Sequence, residues 1–251
     1  MRLDIFLTEK QYFDTRTKAK QSIERGEIFL NGKMIDKPSF EIDINFSGEI
    51  IKKAKEEFVS LGGYKLSKAL KDFDFKVNGL TACDLGVSTG GFTDCLIQNG
   101  ANFVYAIDVS DTLHYSLKNS DKIELIIKNV RDLEKNDFSK EIDLITADLS
   151  FISETLVLPI IYNLLADEKY AIVLIKPQFE FDERKKFKNG IIKDKKIIKN
   201  IIKKIYDFSI KTGLSPINIT SAGNSKDKNC EYLILLQKNG KKVFDFSKIN
   251  F

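Results

Sequence analysis

The chain has 251 residues, of which 43% are hydrophobic and 30% are charged. This balance is that of an ordinary globular protein and excludes a chain that is disordered throughout, and the length allows a small domain beside one of medium size. The formal net charge of +4 fits an anionic partner such as a nucleic acid but does not require one.

The three cysteines, Cys83, Cys95 and Cys230, are odd in number and form no CxxC pair. They predict neither a disulfide framework nor a zinc site, so we expect no metal ion and a reducing, cytoplasmic environment. The segment 1–10 carries charges where a secretory signal needs an apolar run. The longest mostly apolar stretch, 155–166, is too short to cross a bilayer, and we expect no stable membrane insertion.

Residues 1 to about 50 have the pattern of a small α+β unit. Thr15 is a suitable N-cap for a helix with Ala19 and Ile23 on one face, and Gly26 ends that helix. A short strand over 28–30 precedes Asn31-Gly32, a strong signal for a hairpin turn. The charged stretch 52–57 indicates a linker or the start of an edge element. We therefore place a first domain with its linker at 1–59 and a second domain at 60–251.

In the second domain, strand-like apolar runs alternate with helix-like runs. This alternation predicts an α/β fold with a doubly wound, mostly parallel sheet, in which ligands bind at the carboxyl ends of the strands. In the helix over 195–211, isoleucines form one stripe with lysines outside it, which is typical of ordinary amphipathic packing. The predicted strands cover 81–87, 102–108, 123–127, 142–147, 170–176 and 230–236, and the predicted helices cover 66–75, 91–99, 112–119, 153–165 and 195–211.

A glycine-rich loop follows the first of these strands. Its GxxxGG spacing over 86–91 differs from the GxGxxG of dinucleotide-binding proteins, yet glycines here let the backbone approach a ligand closely. The next strand ends in Asp108, which could accept hydrogen bonds from two ribose hydroxyls, and Asp132 could bind an adenine amino group. The alternatives are a plain glycine turn, a helix-capping Asp108 and a solvated Asp132.

Four polar residues could form a reactive cluster. Asp148 and Lys176 directly follow two apolar strands, Lys65 opens a helix, and Glu231 lies at the start of the last predicted strand. Each alone could be a surface charge or a cap. The sole histidine, His114, has no partner motif, and the GxSxG, HExxH and Walker patterns do not occur, so a lysine-centred site is favoured over a histidine-centred one.

Four segments, 62–66, 84–96, 148–152 and 176–180, together closely resemble the TlyA family of rRNA ribose 2′-O-methyltransferases, whose members are also named hemolysins. The N-terminal segment with Thr15–Ala19, Asn31-Gly32 and Lys37-Pro38 resembles the S4-type RNA-binding domain of that family. Leu61 departs from the arginine that usually precedes the Gly-Gly pair. The resemblance covers essentially the whole chain and implies an FtsJ-like Rossmann methyltransferase domain behind an S4-type domain.

The resemblance implies a Lys-Asp-Lys-Glu catalytic tetrad of Lys65, Asp148, Lys176 and Glu231. It also implies S-adenosylmethionine as cofactor and a cytidine ribose of ribosomal RNA as substrate, and the short N-terminus favours the large-subunit RNA. Two alternatives of other classes are a nonenzymatic RNA-binding or ribosome-assembly factor and a membrane-active hemolysin. The residues expected at the cofactor are Asp84, Gly86, Ser88, Thr89, Gly90, Gly91, Phe92, Asp108, Val109, Asp132 and Asp148.

Two groups of basic residues are candidates for contacts with RNA phosphates. Arg16 and Lys20 lie one turn apart on the N-terminal helix, so they share a face. A second run of basic residues follows the Lys176 loop and could track an RNA backbone. The alternative for the helix is a solvated charged face. The full set of expected RNA-binding residues is Arg16, Lys18, Lys20, Arg25, Arg184, Lys185 and Lys188.

Overall fold

The structure, a computed structural model, describes residues 1–24, 26–52, 57–181, 187, 190–223 and 229–249. The chain divides into two compact units, Met1–Glu57 and Phe58–Phe251. Within the described ranges, we find no helix that combines the length and the apolar character needed to cross a membrane.

The N-terminal unit packs two helices against a small antiparallel sheet. Helix α1 spans Leu3–Glu9 and α2 spans Arg16–Glu24, and the strands β1 (Ile28–Leu30), β2 (Lys33–Ile35) and β3 (Ile50–Lys52) are ordered β2-β1-β3. Apolar side chains of both helices and of β1 are buried together in one core. This core includes Leu3, Phe6, Leu7, Ala19, Ile23 and Ile28.

The predicted hairpin is present in this unit. Leu30 pairs with Lys33, and the two intervening residues have positive φ angles of 47° for Asn31 and 76° for Gly32. Positive φ at both central positions is the requirement of the tight turn that matches the twist of paired strands. The prediction from Asn31-Gly32 is therefore confirmed.

The second unit is built on a seven-stranded sheet with the order β6-β5-β4-β7-β8-β10-β9. The first five strands in that order run parallel, and β10 is antiparallel to both β8 and β9. The mostly parallel α/β fold predicted from the sequence is confirmed. The strands are β4 (Thr81–Leu85), β5 (Phe103–Asp108), β6 (Ile123–Ile127), β7 (Ile142–Ala147), β8 (Leu165–Ile175), β9 (Leu214–Ser221) and β10 (Tyr232–Lys238).

Helices cover both faces of this sheet. Successive residues of a strand point to opposite faces, so both faces of the buried sheet are apolar and need cover. Apolar residues of α3 and α4 pack on one face, and those of α6 and α8 pack on the other. On β4, for example, Ala82 belongs to the first core, whereas Cys83 and Leu85 belong to the second. The helices are α3 (Leu61–Asp72), α4 (Gly91–Gln98), α5 (Tyr115–Lys118), α6 (Glu154–Leu164), α7 (Pro177–Glu180) and α8 (Lys195–Thr212).

Four features of this unit differ from the sequence predictions. Strand β9 was missed because Pro216 interrupts its pattern, and proline is tolerated there since β9 is an edge strand. Helix α3 begins at Leu61 instead of residue 66, with the glycine pair in its first turn. The helix expected over 112–119 is a single turn, Tyr115–Lys118, and Glu231 precedes β10 instead of lying inside it.

Candidate active site

The glycine-rich loop at the end of β4 makes two close backbone approaches. Gly86 has a φ of +83°, and a Cβ atom there would lie 2.9 Å from the carbonyl oxygen of Asp148. A Cβ at Gly91 would lie 2.2 Å from the hydroxyl oxygen of Ser60. A side chain at either position would force these neighbours apart, so the sequence of the loop is fixed by space as well as by backbone conformation.

Asp108, at the end of the neighbouring strand β5, holds this loop in place. One carboxylate oxygen accepts a hydrogen bond from the backbone N–H of Ser88 at 2.7 Å, and the other accepts from the backbone N–H of Val109 at 2.7 Å. The carboxylate therefore lies at the carboxyl edge of the sheet, where open α/β sheets bind their ligands.

Two adjoining cavities open at this edge. The larger, of about 570 Å³, falls within the range of roughly 300 to 1,000 Å³ that is usual for small-molecule sites. The smaller has a volume of about 190 Å³ and reaches Lys176. Apolar side chains line one part of the larger cavity, and Asp108 with backbone groups of the loop lines another. The two cavities share Gly86, Ser88, Asp148 and Ser150.

Sheet register brings three of the four candidate catalytic residues to this edge, and helix α3 carries the fourth, Lys65. Leu85 pairs with Ala147 and Ala147 with Val173, so the residues that follow these strands, among them Asp148 and Lys176, emerge together. Tyr232 of β10 pairs with Ile175, which places Glu231 beside the same end of β8.

The four residues form two ion pairs. Lys176 Nζ lies 2.6 Å from an Asp148 carboxylate oxygen and donates to the Ser150 hydroxyl at 2.9 Å. Lys65 Nζ donates to Glu231 at 2.7 Å. The Lys176 side chain is only 10% exposed, and a buried ammonium requires such partners because water cannot solvate it. Gln178, which the sequence analysis did not single out, donates to the other Glu231 oxygen at 3.4 Å.

Two further acids, Glu154 and Glu180, lie near the Lys176–Asp148 pair, and the sequence did not indicate them. Glu180 accepts hydrogen bonds from the backbone N–H of Glu154 and from the Ser153 hydroxyl, both at 2.6 Å. Burial, reinforced by the nearby Glu180 carboxylate, raises the pKa of Glu154 well above its ordinary value, although Lys176 opposes the shift. The position of Glu154 therefore favours the neutral form of its carboxyl group more than an exposed position would.

Asp84 lies beneath the glycine-rich loop. The sequence placed it at the cofactor, but its carboxylate is buried beneath the loop and is not among the residues that line either cavity. Its two oxygens accept hydrogen bonds from the hydroxyls of Thr93 and Thr146 at 2.7 and 2.8 Å. Burial raises the pKa of Asp84 to about 6. Asp84 thus connects β4 to α4 and β7, and supports the loop from below.

Two further cofactor assignments change. Asp132 is exposed and does not line the larger cavity, because the turn over Val130–Asp132 presents its preceding residues instead. A Cβ atom at Gly90 would point toward the side chains of Leu113 and Leu117, and Gly90 lines neither cavity. Of the other expected residues, Gly86, Ser88, Asp108, Val109 and Asp148 line the larger cavity, and Gly86, Ser88, Thr89, Gly91, Phe92 and Asp148 line the smaller. Lining residues that the sequence analysis missed include Ser60, Lys128, Asn129, Val130, Arg131 and Ser150.

An exposed aromatic pair borders the larger cavity. Phe151 is 83% exposed, has a φ of +65°, and its ring centroid lies 4.9 Å from that of Phe179. A positive φ is unusual for a bulky residue, and such strain concentrates at functional sites. The exposed Phe151 ring is thereby displayed to solvent near Lys176, whose Nζ is 5.8 Å from the Phe179 ring.

Three of the seven basic residues expected to bind RNA lie in the described part of the chain, and each of the three is next to an acid. Arg16 forms a 2.9 Å ion pair with the buried Asp4. Lys18 pairs with Asp14 at 3.0 Å, and Lys20 lies 3.7 Å from Glu24. Arg25, Arg184, Lys185 and Lys188 lie outside the described residues. The positive surface of α2 is therefore weaker than its lysine and arginine content suggests. In the described part of the chain, no cluster of three or more His, Cys, Asp or Glu side chains is arranged to hold a metal ion.

Comparison with known proteins gives consistent results. The FtsJ-like methyltransferase family profile matches residues 58–238, and the S4 domain profile matches residues 1–45. Hemolysin A of Brachyspira hyodysenteriae is 38% identical over 93% of this chain and 98% of its own length. The 23S rRNA (cytidine-2′-O)-methyltransferase TlyA of Campylobacter jejuni is 33% identical over 95% of this chain and 100% of its own.

Two further comparisons concern function and fold. The 16S/23S rRNA (cytidine-2′-O)-methyltransferase TlyA of Mycobacterium tuberculosis is 32% identical over 77% of this chain and 73% of its own length. A solved structure from Streptococcus thermophilus, described as a hemolysin, has a TM-score of 0.73 and 34% identity, and covers 95% of this chain and 88% of that one.

Proposed function

The chain belongs to the FtsJ-like methyltransferase family and carries an S4 domain, and from this premise we propose that it methylates the 2′-oxygen of a cytidine ribose in ribosomal RNA. The activities for which the Campylobacter jejuni and Mycobacterium tuberculosis relatives are named support this substrate. The first of these acts on 23S rRNA and matches this chain along its whole length, which favours large-subunit RNA and a cytoplasmic site of action.

The observation that carries this proposal is the Lys176–Asp148 pair beside the cavity of the glycine-rich loop. S-adenosylmethionine, when bound, supplies a methyl group that its positively charged sulfur already activates for transfer. The protein then needs to hold the donor, orient the ribose oxygen and accept one proton. We assign residues 60–251 to these tasks and residues 1–59 to RNA binding.

The chemistry of the cavity fits this donor. The Asp108 carboxylate can accept hydrogen bonds from two ribose hydroxyls in place of its present backbone donors. Apolar side chains of the larger cavity, among them Ile107, Val130 and Ile152, suit the faces of an adenine ring. Gly86, Ser88 and Thr89 line the smaller cavity and would hold the part of the donor nearest Lys176.

Lys176 is the residue we assign to the 2′-hydroxyl. An ammonium group has three N–H donors, and Asp148 and Ser150 engage two of them. The third can donate to the ribose oxygen and hold it in line for attack. The proton lost from the hydroxyl can pass to Asp148, which is 2.6 Å from Nζ. Lys65 and Glu231 complete the proposed set, and their ion pair sits where β8 and β10 meet.

The proposal is tested with the purified chain, large ribosomal subunits from cells that lack it, and isotope-labelled S-adenosylmethionine. We expect 2′-O-methylcytidine as the labelled nucleoside in mass spectrometry. Label on a base, or none in either ribosomal subunit, would contradict the proposal.

Two glycine variants separate donor binding from general strain. Gly86→Ala places a Cβ 2.9 Å from the Asp148 carbonyl oxygen, whereas Gly79→Ala has nothing within 4 Å, although the φ angles of +83° and +79° are nearly equal. In calorimetric titration with S-adenosylmethionine, we expect Gly86→Ala to weaken binding at least about tenfold, the effect of about 1.4 kcal/mol. Gly79→Ala should bind as the wild type does. Equal losses in the two variants would assign the effect to backbone strain alone.

A further inference from the structure

Helix α8 holds more than the whole net positive charge of the protein. It carries six lysines and one aspartate, a net charge of +5, while the whole chain carries +4, so the remaining residues sum to −1. A net charge gathered on one face is the electrostatic footprint of a site for a polyanion.

The lysines share one side of the helix. At about 100° per residue, the six fall within roughly half of the circumference. All six are exposed, whereas Ile198, Ile201, Ile202 and Ile205 are buried against the sheet. With 18 residues the helix is about 27 Å long, on the order of one turn of a nucleic-acid duplex.

A groove beside the lysines gives this face a defined shape. It has a volume of about 700 Å³ and runs between α8 and the segment 243–247. Lys199 and Lys203 line it on the helix side, with the aromatic rings of Tyr206 and Phe246 at its floor. Lys203 Nζ lies 5.4 and 5.6 Å from those two ring centroids. Two acids reduce the local positive charge, because Asp207 pairs with Lys203 and Asp245 lines the groove, as the acids beside α2 do there.

We propose that the lysine face of α8 and its groove form a second RNA-binding surface, which contacts the phosphate backbone of the substrate. This inference rests on the proposed function, because it assigns the docking of the same RNA substrate. The helix follows the polypeptide segment after Lys176, and α7 packs against α8, so the surface is physically connected to the catalytic edge.

RNA suits this face better than an anionic membrane does. A helix that lies in a membrane surface inserts an exposed apolar side beneath its charged one. The apolar side of α8 is already buried in the protein core, and Ile210, near the end of the helix, is its exposed apolar residue. Phosphates of an RNA backbone require only the charges.

The test replaces three neighbouring lysines by a neutral residue of similar helix propensity, in the triple variant Lys196→Gln, Lys199→Gln, Lys203→Gln. A matched control removes the same charge from exposed lysines elsewhere in the second unit, in Lys71→Gln, Lys76→Gln, Lys122→Gln. Thermal unfolding checks that both variants remain folded. Binding is measured to a short double-stranded RNA and to large ribosomal subunits from about 50 to about 200 mM salt.

We expect the α8 variant to lose about tenfold to a hundredfold in RNA affinity and its log–log salt slope to fall by about 2 to 3, since each phosphate contact contributes about 0.7 to 0.9. KM for ribosomal subunits should rise while kcat stays unchanged. The control should resemble the wild type. An α8 variant with wild-type affinity and slope, or one no weaker than the control, would overturn the inference.

Two outcomes separate this inference from the function on which it rests. If the wild type methylates RNA and the α8 variant has the same KM, the surface is wrong and the function stands. If the wild type binds RNA through α8 but transfers no methyl group, the surface stands and the function is wrong. A third arm uses phosphatidylserine vesicles: loss of vesicle binding in the α8 variant, with RNA binding intact, would assign the face to membranes and overturn the inference.

Discussion

Each of the two units buries one aspartate almost completely, and the two units stabilise that carboxylate in opposite ways. Asp4 and Asp84 are both 1% exposed. Asp4 is paired with the guanidinium groups of Arg2 at 3.0 Å and Arg16 at 2.9 Å, which lowers its pKa below the ordinary value. Asp84 receives two threonine hydroxyls and no cation, and burial raises its pKa to about 6.

This difference shows where each unit uses its positive charges. In the N-terminal unit, a cation expected to bind RNA, Arg16, is drawn into stabilising the fold. In the second unit, the buried carboxylate of Asp84 accepts hydrogen bonds from neutral hydroxyls. Lys65 and Lys176 pair instead with Glu231 and Asp148 at the carboxyl edge of the sheet. A carboxylate paired with a cation thus stabilises the fold in the N-terminal unit, where it is Asp4, and lies at the cavity in the second unit, where it is Asp148.

The largest expected contrast is between the two cations themselves. Lys176→Met should lower the rate of methyl transfer by about 10² to 10⁴ while leaving S-adenosylmethionine affinity within about twofold, because it removes the group that orients the ribose oxygen. Arg16→Met should leave kcat unchanged and lower the stability of the N-terminal unit. Single-turnover kinetics measure the methyl-transfer rate of both variants, and calorimetry measures their affinity for S-adenosylmethionine and their stability. A Lys176→Met protein that methylates at the wild-type rate would remove this assignment.

The next effect is a pH dependence that comes from Asp84. Its pKa is about 3.8 in the unfolded chain and about 6 in the folded one, so between these values the folded state binds more protons than the unfolded state. Raising the pH from about 4 to above 6 should therefore destabilise the second unit, by on the order of 3 kcal/mol. Over this pH range the free energy of unfolding of the wild type, measured in urea, should fall by this amount relative to that of Asp84→Asn, which cannot ionise. Parallel stability curves for the two proteins would show that the carboxyl stays ionised throughout.

Asp4 should show the opposite sign. Its folded-state pKa is lowered, so its stabilising contribution is present above the ordinary value of 3.8 and is lost as the pH falls through the lowered one. At neutral pH, Asp4→Asn should destabilise the N-terminal unit by about 2 kcal/mol, because charge-assisted hydrogen bonds to two arginines are lost. Hydrogen exchange of the core amides of Leu7 and Ile23 would measure this loss of stability. A cost that grows toward acid pH would contradict the pairing.

The smallest effect is expected for the surface pair of α2. Lys20 and Glu24 are 55% and 50% exposed and 3.7 Å apart, so the pair is solvated and screened. Lys20→Ala should change the free energy of unfolding by less than about 0.5 kcal/mol, in contrast to Asp4→Asn in the same unit. A loss of about 2 kcal/mol would mean that exposed and buried pairs of this unit contribute alike.

Local signals in the sequence sufficed for much of the fold. The Asn31-Gly32 turn, the apolar runs of β4 to β7 and the isoleucine stripe of α8 each depend on residues close together in the chain, which is why they could be predicted. Strand β9 could not be predicted in this way. Its proline is acceptable only in a strand at the edge of a sheet, and the sequence does not show which strand lies at the edge.

The site divides in the same way. That Asp148 and Lys176 follow apolar strands could be predicted, but the partner of Lys65 lies 166 residues away and is set by the antiparallel register of β10 on β8. The buried hydrogen bonds of Asp84 could not be predicted, because its partner Thr146 comes from β7, 62 residues along the chain. By contrast, the pairs of Lys18 with Asp14 and of Lys20 with Glu24 join residues four apart in the chain, so helical spacing alone could have indicated them.

A crystal structure with bound S-adenosylhomocysteine tests the central claim most directly, since this product shares the adenosine and sulfur of the donor. We predict adenosine in the larger cavity with its ribose hydroxyls on the Asp108 carboxylate, and the sulfur beside the loop in the smaller cavity that Lys176 lines. A ligand bound elsewhere, or one in the cavity with Lys176 directed away from its sulfur, would contradict the account.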